Sequence, residues 1–264
     1  MKTSVKNLAL ILSVLLLLLC SCQTGTLSKQ FESHPGEKQD FTEPKEGIAA
    51  NSTKDTIDNN TPGESIDLTV KIETFDPLSF EKTIETGSAA DFAEIYSDIS
   101  DLESASDNVV YGEVESVAYW DLSGSANTVY SFRILETIKG DLPENAVISV
   151  ITPGGYCRLQ SVINVFGGGK FQNYTQEEIN QTIIHRFFAG VIEEPKTGEK
   201  YILYLTSPTK DENPFPDGLY CEKGAFMGRL IEQNDGSFMR VTPQDEPDFY
   251  GTSKVAYSRE ELLS

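Results

Sequence analysis

The chain has 264 residues, with 41 acidic against 21 basic side chains and a net charge of −20 at neutral pH. A surface this acidic repels nucleic acid and anionic lipid, both of which need a basic footprint, so it argues against a nucleic-acid partner. The chain holds four cysteines, with Cys20 and Cys22 close to its start, and this is too few for a disulfide-built miniprotein.

Lys2 and Lys6 form a short positive start, followed by Leu8 to Leu19, which is apolar except for Ser13. A bilayer-spanning helix needs about 20 apolar residues, so this run is short for a span. A basic start, a short apolar core and a small residue before a cut are the parts of an export signal. The following order, Leu19-Cys20-Ser21-Cys22, resembles the lipobox of bacterial lipoproteins: Leu at −3, a small residue at −1, then the modified cysteine. Cys20 as the modified residue would put Leu19 at −1, which fits badly. The resemblance therefore implies cleavage after Ser21, acylation of Cys22 and anchoring to the membrane from its outer face. The alternatives are an ordinary secretory signal with incidental cysteines and a retained anchor. Two or more acyl chains make such anchoring stable, at about 0.8 kcal/mol per buried CH₂. Removal of residues 1–21 takes Lys2 and Lys6 and no acid, so the mature chain would keep 19 basic against 41 acidic groups, a charge of −22.

Residues 22–75 read as a disordered tether, because apolar side chains are sparse through 23–65 and cannot offset the entropy of ordering. About 40 flexible residues reach roughly 35 Å. Asp67 to Phe80 is transitional, with room for one strand, and a domain is expected over 76–264. Phe92, Ile95, Ile99 and Leu102 recur at helical spacing after Ser88, a candidate N-cap, and Ser104 to Asp107 ends that helix.

The period then changes to two. "NVVYGEVESVAYW" puts Val110, Gly112 and Val114 on one face and Tyr111, Glu113 and Glu115 on the other; "TVYSFRILETI" aligns Tyr130, Phe132, Ile134 and Ile138. "AVISVI", "YILYLT", "GAFMGRLI" and "SFMRV" supply further strands, separated by turn signals at Lys139-Gly140-Asp141, Pro153-Gly154-Gly155 and Asn234-Asp235-Gly236. Thr175 and Glu178 make a capping-box pattern, and Ile179, Ile183 and Phe187 follow at i, i+4, i+8, which predicts an inserted helix over about 176–188. "YSREELLS" would begin a last helix at Ser258. The expected fold is mainly β with some helix (α+β), a small barrel-like domain with one preceding and one inserted helix.

The segments "SDNVVYGEVESV", "YSFRILETIKGD", "ISVITPGG", "GEKYILYLTS" and "GAFMGRL" are similar to those of a group of bacterial secreted and lipoprotein domains of uncharacterised activity. They also look distantly like the OB-type barrel of netrin-like and metalloproteinase-inhibitor domains, which implies an OB-like β-barrel. Such inhibitors begin with Cys-x-Cys at a protease zinc. Here Cys22 would be acylated and held away by a tether, so that mechanism does not carry over.

Residue chemistry offers no catalytic set, cofactor motif or metal site. His34 falls in the tether and His185 in the inserted helix, where it reads as a surface or boundary residue. G-x-S-x-G and H-E-x-x-H do not occur. In "FGGGK" a phosphate loop would need Ser or Thr after Lys170, and Phe171 stands there. Asp211, Glu212, Asn213 and Asp217 lack calcium-loop spacing and read as a solvated turn. Cys157 and Cys221 either form a disulfide closing a loop of about 64 residues, contributing ~4 kcal/mol, or remain two free thiols. Tyr119, Trp120, Tyr156, Phe166 and Tyr174 are candidates for a binding patch or for ordinary packing. The expectation is a non-enzymatic binding module of the envelope with an unknown extracytoplasmic partner, an envelope hydrolase or an inhibitor-like module being the alternatives.

Overall fold

The computed structural model describes residues 65–207, 215–244, 246, 248–252 and 254–263. Cys22, the leucine run, His34, Asp211, Glu212 and Asn213 lie outside the described residues. The fold is mainly β, arranged as two sheets. The strands are β1 (Ile66–Leu68), β2 (Lys82–Ser88), β3 (Asn108–Leu122), β4 (Ser125–Lys139), β5 (Ala146–Pro153), β6 (Gly155–Arg158), β7 (Thr182–Phe188), β8 (Lys200–Thr206), β9 (Leu219–Glu222), β10 (Arg229–Glu232), β11 (Phe238–Arg240) and β12 (Ala256–Tyr257). The helices are α1 (Ile99–Ser104), α2 (Leu159–Phe166), α3 (Gln176–Asn180) and α4 (Arg259–Leu262).

The larger sheet runs β1-β5-β4-β3-β8-β10-β11-β12, and β9 pairs with both β5 and β8. Strands β3, β4, β5, β9 and β8 therefore bond to one another in a closed ring. Its interior is filled by Val110, Val114, Tyr130, Phe132, Ile134, Ile148, Val150, Tyr201, Leu203 and Leu205, with Phe132 and Tyr201 stacked at 6.4 Å. Gly112 sits where this interior is tightest. A Cβ there would lie 2.0 Å from the Arg133 carbonyl and 2.7 Å from the Phe132 ring. The alternation expected for β3 is met, since Val110 and Val114 point inward while Tyr111 packs outside. The single face expected for β4 is not. Ile138, Leu135 and Glu115 have no partner across the β3–β4 pair, and each such bulge flips the parity of the residues beyond it. Ile138 consequently packs on the outer cluster, away from Ile134.

The outer cluster joins Tyr96, Leu102, Val109, Tyr111, Phe226, Leu230, Phe238 and Tyr250. Phe92 is its hub, edge-on to Phe188, Phe226 and Phe249 at 5.5–6.1 Å. The helix expected from Ser88 is thereby corrected. Ser88 ends a strand, 89–98 run irregularly so that Phe92 reaches this hub, and α1 starts only at Ile99, after Asp98. Buried Arg240 holds the segment by donating to the Ser97 and Tyr96 carbonyls at 2.8 and 2.6 Å.

The smaller sheet, β2-β7-β6, corrects the inserted helix as well. The capping box of Thr175 and Glu178 forms, but α3 stops at Asn180 and 182–188 are a strand, parallel to β2 and antiparallel to β6. β-branched and aromatic residues fill "TIIHRFF", and both Ile183 and Ile184 are buried, which suits a strand covered on both faces better than a one-sided helix. The domain also begins earlier than residue 76. β1 pairs in parallel with β5, and Val70 and Ile72 pack against Val129, Ile151 and Leu219. Ser258 caps α4 through a second capping box.

Candidate functional site

Strand register assembles the candidate site. Across the smaller sheet Glu85, His185 and Tyr156 stand in one row, so their side chains share a face. Tyr156 stacks on the His185 ring at 4.2 Å and 6°. Phe187 approaches the imidazole at 4.3 Å with a tilt of 57°, and Tyr119 from β3 abuts Tyr156 at 4.7 Å. The Gly154-Gly155 turn makes this approach possible. Both glycines have positive φ, and a Cβ on Gly155 would lie 2.5 Å from the Thr128 hydroxyl and 2.8 Å from the Tyr119 ring.

Glu194, from the loop after β7, completes the cluster. His185 Nε2 is 2.7 Å from Glu194 Oε1, and the Tyr119 hydroxyl donates to Oε2 at 3.0 Å. Burial and the Glu194 charge push the Tyr119 hydroxyl above its ordinary value, and burial followed by the charges of Glu194 and Glu85 does the same to Tyr156. Both phenols therefore stay neutral donors around neutral pH. An imidazole held at one nitrogen by a carboxylate is the arrangement that orients a general base, and the three surrounding rings equally form an aromatic recognition surface.

Behind this face lies a buried ionic group. Arg229 and Glu222 are 3.4 Å apart, with 2% and 0% of their side chains exposed. Glu222 also accepts from Tyr130 at 2.7 Å and from Thr152 at 3.2 Å. Arg229 donates to the Glu193 carbonyl at 2.6 Å, while its Nε has no partner. Burial raises the Glu222 carboxyl against the pull of Arg229 and the two hydroxyls. The Arg229 guanidinium keeps its charge, because burial is outweighed by Glu222 and the neighbouring tyrosines. Arg229, Arg186, Thr128, Thr152, Glu193 and Glu194 border a cavity of about 20 Å³, room for roughly one water.

The residues singled out in the sequence are only partly brought together. His185 is a half-buried sheet residue, not a helical one. Tyr119 and Tyr156 join it, whereas Trp120 packs on Phe215 at 5.8 Å, Phe166 ends α2 exposed, and Tyr174 meets Phe171 and Lys82. Cys157 and Cys221 are free thiols. They lie in different clusters, on β6 and β9 of separate sheets, and burial pushes each thiol up to about 11. Among the described residues no three His, Cys, Asp or Glu side chains gather to hold a metal ion, and no helix is long and apolar enough to cross a membrane. Sequence reasoning misses Glu194 and Glu85. The segment "TIIHRFF" read as a strand sets His185 on the same face as Phe187 but locates neither carboxylate, which only the pairing with β2 and the loop after β7 bring in.

The class that fold and site define is a mainly β, two-sheet protein with a His–Glu–Tyr cluster on the smaller sheet. No protein-family model matches the chain, and no curated protein matches it either.

Proposed function

We propose that the protein is a lipid-anchored, extracytoplasmic envelope protein whose β domain is a non-enzymatic binding module for another envelope component. The observation that carries the location is the order Lys2, Lys6, the apolar run Leu8–Leu19, then Leu19-Cys20-Ser21-Cys22, with Cys22 as the acylated residue. The domain's closed ring of five strands supports reading it as an OB-like barrel. Such a fold leaves function to the site it carries. The recognition surface is the face of Tyr119, Tyr156, His185 and Phe187, with Glu194 and Glu85 as acceptors.

A second reading, an envelope hydrolase, is favoured by the 2.7 Å contact of His185 with Glu194. It is weakened by the adjoining cavity, which is too small for a substrate without movement of the loop that carries Glu194. An inhibitor-like module would present a protruding loop, residues 157–174 being the candidate; these form the end of β6, then α2 and a short 3₁₀ turn, packed through Leu159, Ile163 and Phe171 with Val165 and Phe166 exposed, which gives that reading less support.

Mass spectrometry of the mature N-terminus tests the anchor: a diacylglyceryl Cys22 is expected, and an unmodified chain beginning elsewhere refutes it. Photo-crosslinking from position 156 on intact cells, with identification of the captured partner, tests the module. A His185→Ala variant that abolishes hydrolysis of isolated envelope material would replace the binding reading with the enzymatic one.

A further inference from the structure

Strand β2 is one of the two outer strands of the smaller sheet and, among the described residues, pairs with β7 alone. The Lys82 N–H donates to the Gln181 carbonyl, which fixes the phase of the parallel ladder. Lys82, Ile84, Thr86 and Ser88 turn their backbone groups toward β7. Thr83, Glu85 and Gly87 turn theirs to the open side. On that side the Gly87 carbonyl accepts only the Thr86 hydroxyl, at 3.3 Å, and among the described residues no strand pairs with it.

The other ends of the sheets are handled differently. The larger sheet ends in β1 with three residues and β12 with two, and the smaller sheet's other end, β6, has four; short edges are one way proteins avoid unwanted strand pairing. β2 runs seven residues, keeps register with β7 over all seven pairs, and contains neither proline nor bulge. Its charge is acidic at the open side. Among the described residues no cation forms an ion pair with Glu81 or Glu85, while the one basic residue of the strand, Lys82, has its ammonium 3.0 Å from the Tyr174 hydroxyl and 4.3 Å from that ring's centre. Gly87 leaves space beside Phe187 in the next row, since a Cβ there would touch nothing within 4 Å.

We infer that the open edge of β2 is a docking site for an extended basic peptide, which adds to the smaller sheet as a fourth strand. The inference rests on the binding-module reading and names the partner's chemistry. Main-chain bonds to Thr83, Glu85 and Gly87 supply affinity, as in other strand additions. Selectivity comes from Glu85, which meets a peptide lysine or arginine, and from the gap at Gly87, which takes an apolar side chain. The mature charge of −22 draws a basic segment in and repels an acidic one.

The test uses the full mature chain with Cys22→Ser, the synthetic peptide Lys-Val-Lys-Val-Lys-Val, and its Glu-Val counterpart. Amide exchange at Thr83, Glu85 and Gly87 should slow at least tenfold with the Lys-Val peptide and not with Glu-Val. Glu85→Pro removes an outward N–H without touching the β7 ladder, and Glu85→Lys reverses the charge. Each should weaken the Lys-Val peptide at least tenfold, the second guarding against misfolding of the first. No slowing, equal slowing by Glu-Val, or slowing that tracks protein concentration without peptide (self-pairing of two copies) overturns the inference. In any of those cases a partner crosslinked from position 156 would still uphold the binding module, so the two failures are distinguishable.

Discussion

Replacing Arg229 by methionine strips the cation from a carboxylate that cannot reach water. Neither side chain of the Arg229–Glu222 pair is appreciably exposed, so Glu222 in the variant keeps only the Tyr130 and Thr152 hydroxyls. Breaking a buried pair costs about 3–5 kcal/mol, but the carboxyl can escape part of that by taking a proton. Its ordinary value is 4.5, and holding a proton at pH 7 costs about 3.4 kcal/mol, at 1.36 per unit over two and a half units. At pH 5 the same step costs about 0.7 kcal/mol. The lost bond to the Glu193 carbonyl adds about 1 kcal/mol at either pH. The expected loss is thus at most about 4 kcal/mol at pH 7 and about 2 at pH 5, the difference being reduced by the share that the raised carboxyl of the wild type already bears. The sign comes from linkage: a carboxyl raised in the folded state favours folding below its unfolded value, and that advantage is lost as pH climbs through the folded value. Urea unfolding at both pH values, monitored by Trp120 fluorescence, measures it. The double variant Arg229→Met/Glu222→Gln should recover about 2 kcal/mol at pH 7 and be insensitive to this pH range. Equal losses for the single variant at pH 5 and pH 7 would refute the electrostatic argument and leave packing as the cause.

Gly112→Ala should destabilise by about 3 kcal/mol or more, read as a shifted urea midpoint, because the backbone carbonyl of Arg133 at 2.0 Å cannot yield as a side chain could. Burial holds Tyr130, Tyr201 and Tyr204 protonated well above their ordinary 10, so the folded state loses stability as pH rises past 10, by about 1.4 kcal/mol per unit for each. Tyrosinate absorbance should accordingly appear together with unfolding, and gradual titration of the folded protein would contradict this. Thr175→Ala removes the bond to the Glu178 N–H and half of the capping box. It should cost about 1 kcal/mol, seen as faster amide exchange confined to α3.

Four strands of the ring, β3, β4, β5 and β8, were legible because their signals are local, whereas β9, which closes it by pairing with β5 and β8, carries no such signal. Alternation in 108–114, the apolar runs of β5 and β8, and the turn glycines at 140 and 154–155 all operate over a few neighbouring residues. The smaller sheet was not. β2 and β7 are a hundred residues apart and pair in parallel, so neither carries the turn that announces a hairpin. β2 reads K-T-I-E-T-G-S, with one aliphatic residue, and looks like a loop until β7 is beside it. The stretch 176–188 holds two compatible patterns. Ile179, Ile183 and Phe187 fit a helix, while Thr182 to Phe188 fit a strand, and a capping box at Thr175 lends weight to the first. The box is real, but it governs only the five residues it caps.

That single ambiguity of period hides the site. On a helix His185 and Phe187 point about 200° apart; on a strand they point the same way, and the antiparallel neighbour β6 brings Tyr156 opposite. Glu194 then needs only the tight turn at Ala189 and Gly190, both at positive φ, to fold back over the imidazole. Bulges conceal in the same manner, since Ile138 leaves the interior through one unpaired residue that no periodicity contains. In this chain the long-range pairing decides which face each side chain occupies, and the chemistry of the site is a consequence of that register.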